Sequence, residues 1–431
     1  MPLSAEPDAL PRPQPAPWGR SLWATVAAFG VYFCMYAFRK PFTAGAYEGV
    51  VWGLSEKTVL VVAQVLGYMT AKFIGIRVIA EMPPQRRALG IIGLIAAAEG
   101  FLLLFAVVPS PWHALCFFGN GFPLGLFFGL VVGYLEGRRH TEALAAGLCA
   151  SFILADGVTK SLGTWLLESG LDERWMPAAA GVAFAPPFLF FVWMLSRIPP
   201  PTPDDVDHRC QRQPMLVADR RRFLVEYGPG VASLVFVFLL ITILRSMRAD
   251  FGRELWLGLG ETTAPALFTK SELCVTLGVL LVNGLSVLIE DNRRAFFTAV
   301  AVSIAAMLLL GFALLGLRER WFGGFAFMVL TGLGLYLPYV AMHTTLFERM
   351  IAMTRERGNI GFLIYLADSI GYLGYVAILV GKERLSGSED FLSVYLTALG
   401  IGAACCAAAL AVTWTYFSSQ VPAPEPTRET A

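Results

Sequence analysis

The residues most able to do chemistry in this sequence are charges placed where charges are costly. Arg39 and Lys40 fall in VYFCMYAFRKPF, and Lys72 falls in GYMTAKFIG. Asp156 and Lys160 lie one turn apart in a fifth apolar run, and Arg245, Arg248 and Asp250 lie in a seventh. Lys270 and Glu272 open an eighth run, Asp368 lies in an eleventh, and Glu136 ends a fourth. An ionised side chain at a bilayer centre costs about 2.5–3.5 kcal/mol on insertion scales, so it persists where it faces a polar cavity or a partner. Arg39, Lys72 and Arg245 have no acidic residue nearby on the same helical face. Cations around one cavity repel each other when it is empty, and a dianion relieves the repulsion. Guanidinium forks make paired hydrogen bonds to phosphate oxygens, and a lysine adds a point charge. A polyanion is the simplest guest for this set.

The other charges each have two readings. Lys40 and Arg248 sit near run ends, where snorkelling to the interface competes with a site role. Asp156 and Lys160, at i and i+4, form either a local ion pair or direct substrate contacts. Lys270 and Glu272 form either a loop pair or part of the site, and Glu136 pairs with Arg138 or Arg139 at the membrane surface. Tyr32, Tyr36, Tyr68 and Tyr336 are either hydroxyl donors to the anion or packing and interface aromatics.

The elements that must position these residues follow from composition. Of 431 residues, 56% are hydrophobic and 15% charged, against roughly 45–50% and 25% in soluble domains. The mean hydropathy is +0.62. Lipid must be the solvent for much of that surface. A net charge of +1 argues against nucleic acid as a partner. The seven cysteines show no metal-ligand spacing and read as small apolar residues needing no disulfide. No metal or cofactor is expected.

A spanning helix needs about 20 apolar residues. Runs of that kind cover 21–44, 57–80, 87–108, 112–135, 142–168 and 175–197, then 225–251, 264–288, 294–316, 321–347, 358–382 and 390–417. The proline- and charge-rich stretch 198–224 divides them. The expected organisation is a disordered tail over 1–17, with no cleavable signal peptide, and a six-helix half over 18–197. A cytoplasmic linker over 198–224, a second half over 225–417 and a tail over 418–431 follow. Arginines concentrate in the loops after even-numbered runs, among them Arg86, Arg87, Arg138, Arg139, Arg293, Arg294, Arg355 and Arg357, with Arg318 and Arg320 as exceptions. The positive-inside rule then puts both termini in the cytoplasm of a cell (inner) membrane protein. GNGFPLG opening the fourth run and GLGLYLP in the tenth stand 213 residues apart, and Arg39 and Arg245 stand 206 apart, a weak internal repeat. Gly119, Gly121, Gly125, Gly332 and Gly334 read as close-approach positions between helices.

At these residues the sequence resembles the organophosphate:phosphate antiporter family of the major facilitator superfamily. Tyr36-x-x-Arg39-Lys40 and Tyr68-x-x-x-Lys72-Phe73 match its first two helices. Leu244-Arg245 with Asp250 matches the seventh, and Glu272 with Gly278 the eighth. Gly332, Tyr336 and Pro338 match the tenth, and Gly371-Tyr372-Leu373-Gly374 the eleventh. The resemblance runs from about residue 18 to 417. It implies that Arg39 and Arg245 grip a phosphate group and that Lys72 contributes. Where the family has a histidine in its fifth helix, this chain has Asp156 with Lys160, and Asp368 falls outside the family pattern. Those carboxylates point to an ammonium on a zwitterionic phosphate or phosphonate, or to a coupling proton.

The expected fold is therefore an all-α membrane protein, twelve helices in two pseudo-symmetric halves of the major facilitator type. The expected function is exchange of a small anionic, phosphorylated metabolite for phosphate by alternating access, in a monomer. Two other classes stay open: a non-transporting sensor of a phosphorylated ligand, and a proton-coupled organic-anion symporter. An enzyme is not expected, since no nucleophile–base pair, HExxH or phosphate-binding loop occurs. The expected substrate residues are Arg39, Arg245, Lys72, Tyr36, Tyr68, Tyr336 and Lys160, with Asp156, Glu272, Asp368 and Asp250 in coupling or supporting roles.

Overall fold

A computed structural model describes residues 18–80, 83–135, 141–198, 217–262, 264–286, 288–354, 360–386 and 391–420. Its long helices are α1 Trp18–Met35, α2 Glu56–Ala80, α3 Pro84–Val107, α4 His113–Leu135, α5 Thr141–Glu168 and α6 Met176–Ser196. The second half holds α7 Val217–Asp250, α8 Pro265–Ser286, α9 Asn292–Arg318, α10 Gly324–Ala341, α11 Ile360–Ser386 and α12 Phe391–Gln420. The 25 residues of α2 rise about 37 Å, enough to cross a hydrocarbon core of about 30 Å. Lipid-side positions carry exposed Phe73, Leu103, Phe190, Leu281 and Ile401. Such an apolar exterior needs a bilayer around it. The chain is a multi-pass membrane protein.

Several boundaries differ from the run-by-run expectation. Helix α7 begins at Val217, so residues 217–224 are helical rather than linker, and residues 199–216 lie outside the described set. The tail 1–17, Glu136, Arg138, Arg139, Arg355 and Arg357 also lie outside it. GNGFPLG sits mid-helix in α4 rather than opening it.

The first run ends as a helix at Met35, short of residue 44. Pro41 cannot donate a backbone bond, and residues preceding proline disfavour helix. The chain tightens into two 3-10 turns, Tyr36–Phe38 and Pro41–Ala44. The Tyr36 carbonyl accepts from both Arg39 N at 3.0 Å and Lys40 N at 2.9 Å. A two-residue hairpin, Val50–Val51 with Leu54–Ser55, follows. Its tip needs positive φ at Trp52 and Gly53, and glycine accepts that without strain. In the tenth run, α10 stops at Ala341 and passes through a π-helical turn, Met342–Leu346, into a short helix, Phe347–Thr354.

Helices α2 and α4 pack backbone to backbone. A Cβ on Gly121 would stand 2.1 Å from the Gln64 carbonyl oxygen, so only glycine fits there. Across the two halves, a Cβ on Gly157 of α5 would meet the Phe268 carbonyl of α8 at 2.7 Å.

Candidate functional site

The site grows from the break after α1. That break turns Arg39 out of the helical ladder, and side-chain amides from two neighbouring helices hold its backbone. Gln64 of α2 donates to the Arg39 carbonyl at 3.1 Å and to Asn120 Oδ1 of α4 at 2.8 Å. Asn120 Nδ2 donates to the carbonyls of Phe38 and Ala98, each at 3.0 Å. Both amides are buried and well satisfied, so they fix the base of Arg39 rigidly.

The Arg39 guanidinium lies over the Tyr68 ring, 4.4 Å from its centroid, and 5.8 Å from that of Tyr36. Arg245, from the penultimate turn of α7, repeats the arrangement with α10. Its guanidinium is 4.3 Å from the Tyr339 centroid and 5.8 Å from that of Tyr336. Phe152 of α5 joins the two clusters, with its ring 6.4 Å from Tyr36, 6.2 Å from Tyr336 and 5.9 Å from Tyr339. Tyr36 and Tyr372 stand within electrostatic reach of both guanidiniums. Arg39 and Arg245 are each 7% exposed. One arginine from each half thus enters one connected cluster of buried aromatic rings.

The other buried cations are paired with carboxylates. Lys40 pairs with Asp250, which also accepts from the Tyr375 hydroxyl at 2.8 Å. Lys57 pairs with Glu254 at 2.5 Å, and Arg248 with Glu272 at 2.8 Å. Lys160 pairs with Asp156 at 2.5 Å and donates to the Ala249 carbonyl. Lys72 pairs with Asp368. Among the described residues, neither Arg39 nor Arg245 has a carboxylate partner. Arg245 makes one long contact, 3.4 Å to Ser246 Oγ, and its Nε is buried without an acceptor.

The chain belongs to DUF5690, a family of unknown function. The family model spans residues 41–420. No curated protein sequence matches the chain. Many solved structures share its fold, two transporters among them. One is a D-xylose–proton symporter, 13% identical, with a TM-score of 0.60, matching over 92% of this chain and 97% of that one. The other is a bacterial homologue of the human lysosomal transporter Spinster, in an inward-facing and unoccupied conformation. It is 14% identical with a TM-score of 0.54, over 94% of this chain and 98% of that one. Among the described residues twelve long helices fall into two sets of six, nine of them long and apolar enough to cross a membrane, in the fold of these transporter structures.

Set against the sequence reading, the structure brings Arg39, Arg245, Tyr36, Tyr68 and Tyr336 together. It moves Lys72 into an ion pair, because Asp368 arrives from the other half, 296 residues away. No inspection of the α2 face alone finds that partner. Lys40 and Arg248 do not snorkel; both are buried and paired. Lys270 is exposed, and Glu272 turns instead to Arg248. Asp156 and Lys160 form the local pair, which also caps the end of α7 through Ala249.

Sequence reasoning passed over Gln64, Asn120, Phe152, Tyr339 and His343. Asn120 lies inside GNGFPLG, and a lone amide between two glycines in an apolar helix was the available signal.

Proposed function

We propose that this protein is a secondary transporter that carries a small dianionic, phosphorylated metabolite across a membrane by alternating access, in exchange for phosphate. The observation that carries the reading is the pair of guanidiniums without carboxylates, one from each half, inside a chamber where the other buried cations described are neutralised. Two net positive charges in a low-dielectric chamber call for a divalent anion. Arginine forks favour its phosphate oxygens, and the tyrosine rings wall its organic part. Asp156, Asp250, Glu272 and Asp368 are each already neutralised by a basic side chain, so the charge left over is that of the two arginines and the favoured substrate is anionic rather than zwitterionic. The transporter-type fold and the motif resemblance to organophosphate:phosphate antiporters support the same reading.

The halves are tied where α1, α5 and α7 finish and α2 and α8 begin. Lys40–Asp250, Lys57–Glu254 and the 2.6 Å contact between the Ser161 and Thr269 hydroxyls all lie there. With both termini in the cytoplasm, that end faces outward, and this conformation is closed to the outside. Substrate neutralises Arg39 and Arg245 and lets the opposite end close. An empty carrier keeps its bare charge and reorients slowly, which enforces exchange over leak.

The test is uptake by proteoliposomes loaded with inorganic phosphate. External labelled phosphate and phosphoesters are expected to enter by counterflow. If no phosphate or phosphoester exchanges, the reading fails.

A further inference from the structure

Beyond the arginines, one buried carboxylate oxygen faces a ring nitrogen with no hydrogen between them. His343 lies in the π-helical turn that follows α10, a kind of distortion frequent at functional sites. Its Nδ1 is 2.9 Å from the Tyr339 carbonyl oxygen. A carbonyl only accepts, so Nδ1 carries the hydrogen there, and in a neutral imidazole Nε2 then carries a bare lone pair. That lone pair faces Asp368 Oδ1 at 3.8 Å. Oδ1 is buried and has no hydrogen-bond partner, while the other oxygen of Asp368 is held by Lys72. Two acceptors opposed in a dry site form a vacancy for one proton.

We propose that His343 and Asp368 form a proton-binding site linked to the anion chamber, so that the carrier is proton-coupled. A hydronium ion gives its proton to the Nε2 lone pair: one O–H bond breaks, one N–H bond forms, a water is released, and the imidazolium donates to Asp368 Oδ1. The coupling half of this statement rests on the anion-carrier reading; the proton site itself does not.

Two consequences follow from the surroundings. With neutral histidine, the trio of Lys72, Asp368 and His343 carries no net charge; with the proton it carries one positive charge. His343 packs on Tyr339 at 4.5 Å between ring centroids, and Tyr339 is the ring beneath Arg245. The added charge therefore sits one ring from the anion, and proton and anion favour each other's binding reciprocally. Protonated His343 also shares the charge of Asp368 with Lys72, each on its own oxygen, and repels the Lys72 ammonium. Lys72–Asp368 joins α2 of one half to α11 of the other, so the proton loosens a tie between halves and frees Lys72 toward the chamber. The groups facing this site are Lys72 and Tyr68 from α2, Tyr372 from α11, Cys149 from α5, and Arg245 across Tyr339. Lys72 and Arg245 are cations among them and oppose protonation. Asp368 is the carboxylate that favours it.

The experiment uses the full chain, with spin labels at the exposed positions Phe73 and Leu373 beside the tie. Interlabel distances are read without ligand from pH 8 to pH 5, the window in which imidazole titrates. The wild-type distribution is expected to shift toward longer distances in acid. His343→Gln and, separately, Asp368→Asn are expected to abolish that shift; His343→Asn serves if the glutamine variant does not fold. A pH-independent distribution in the wild type, or an equal shift in the variants, overturns the proton site. In a second arm, inorganic phosphate affinity is measured for wild type and His343→Gln over the same range. Phosphate's own titration cancels in their ratio. The ratio is expected to rise about tenfold toward acid, within the usual range of site–site coupling. A flat ratio overturns the coupling. If neither protein binds phosphate while the wild-type distances still shift, the proton site stands and the anion-carrier reading falls.

Discussion

Two neighbouring regions of this molecule use the same residue types to opposite ends. Around the ends of α1, α5 and α7, Lys40, Lys160 and Arg248 are each matched to a carboxylate. Close by, Arg39 in the break after α1 and Arg245 one turn before Arg248 are also buried but rest on tyrosine faces with no carboxylate partner described. A buried pair costs desolvation but is neutral once formed. An unpaired buried cation remains costly until something anionic arrives. The first region is thus self-sufficient structure that ties the halves together, and the second leaves two buried cations without a described carboxylate.

The largest effect expected from breaking this contrast is in the paired region. Lys40→Ala strands Asp250 in a dry site and is expected to cost about 3–5 kcal/mol, read as a drop in thermal unfolding temperature of the purified protein. Adding Asp250→Leu should restore most of the loss. If Lys40→Ala is no less stable than wild type, the tie is not structural.

Arg39→Ala and Arg245→Ala should do the reverse. Each is expected to leave unfolding temperature nearly unchanged or raised, while phosphate affinity falls by roughly 100-fold or more, in line with losses of about 2–5 kcal/mol for truncating one partner of a buried charge pair. Ligand-induced thermal stabilisation reads both quantities together. Equal loss of stability at the two sites would erase the distinction between regions.

Asn120→Leu tests the support beneath Arg39. It removes the amide that fixes Gln64 and the Phe38 carbonyl, for about 1–3 kcal/mol of stability, and should weaken phosphate binding about tenfold. Arg245 has no such amide cradle, so the equivalent loss should have no counterpart in the second half. At the bottom of the scale, Lys270→Ala at an exposed position should stay within about 0.5 kcal/mol of wild type, with unchanged exchange.

Much of this was legible in the chain itself. Twelve apolar runs, their division into two halves and the arginines at matching places follow from the length and period of hydrophobic segments, because a bilayer fixes both. The residues around Arg39 and Arg245 were partly readable, since Tyr36 shares a short motif with Arg39, and Tyr68 and Tyr336 fall in other motifs of the same resemblance. The break at Met35 was hidden inside a continuous apolar run, and only Pro41 hinted at it.

What the sequence determined by itself was which residues had to be hidden from lipid, because the cost of a charge in hydrocarbon depends on residue type and depth alone. What the tertiary structure decided was how each was compensated. Lys72 and Asp368, or Lys40 and Asp250, are more than 200 residues apart, and electrostatic neutralisation depends on distances of a few ångströms that no local pattern encodes. Only when the halves come together do the buried charges divide into those already answered and the two left, among the described residues, without a carboxylate.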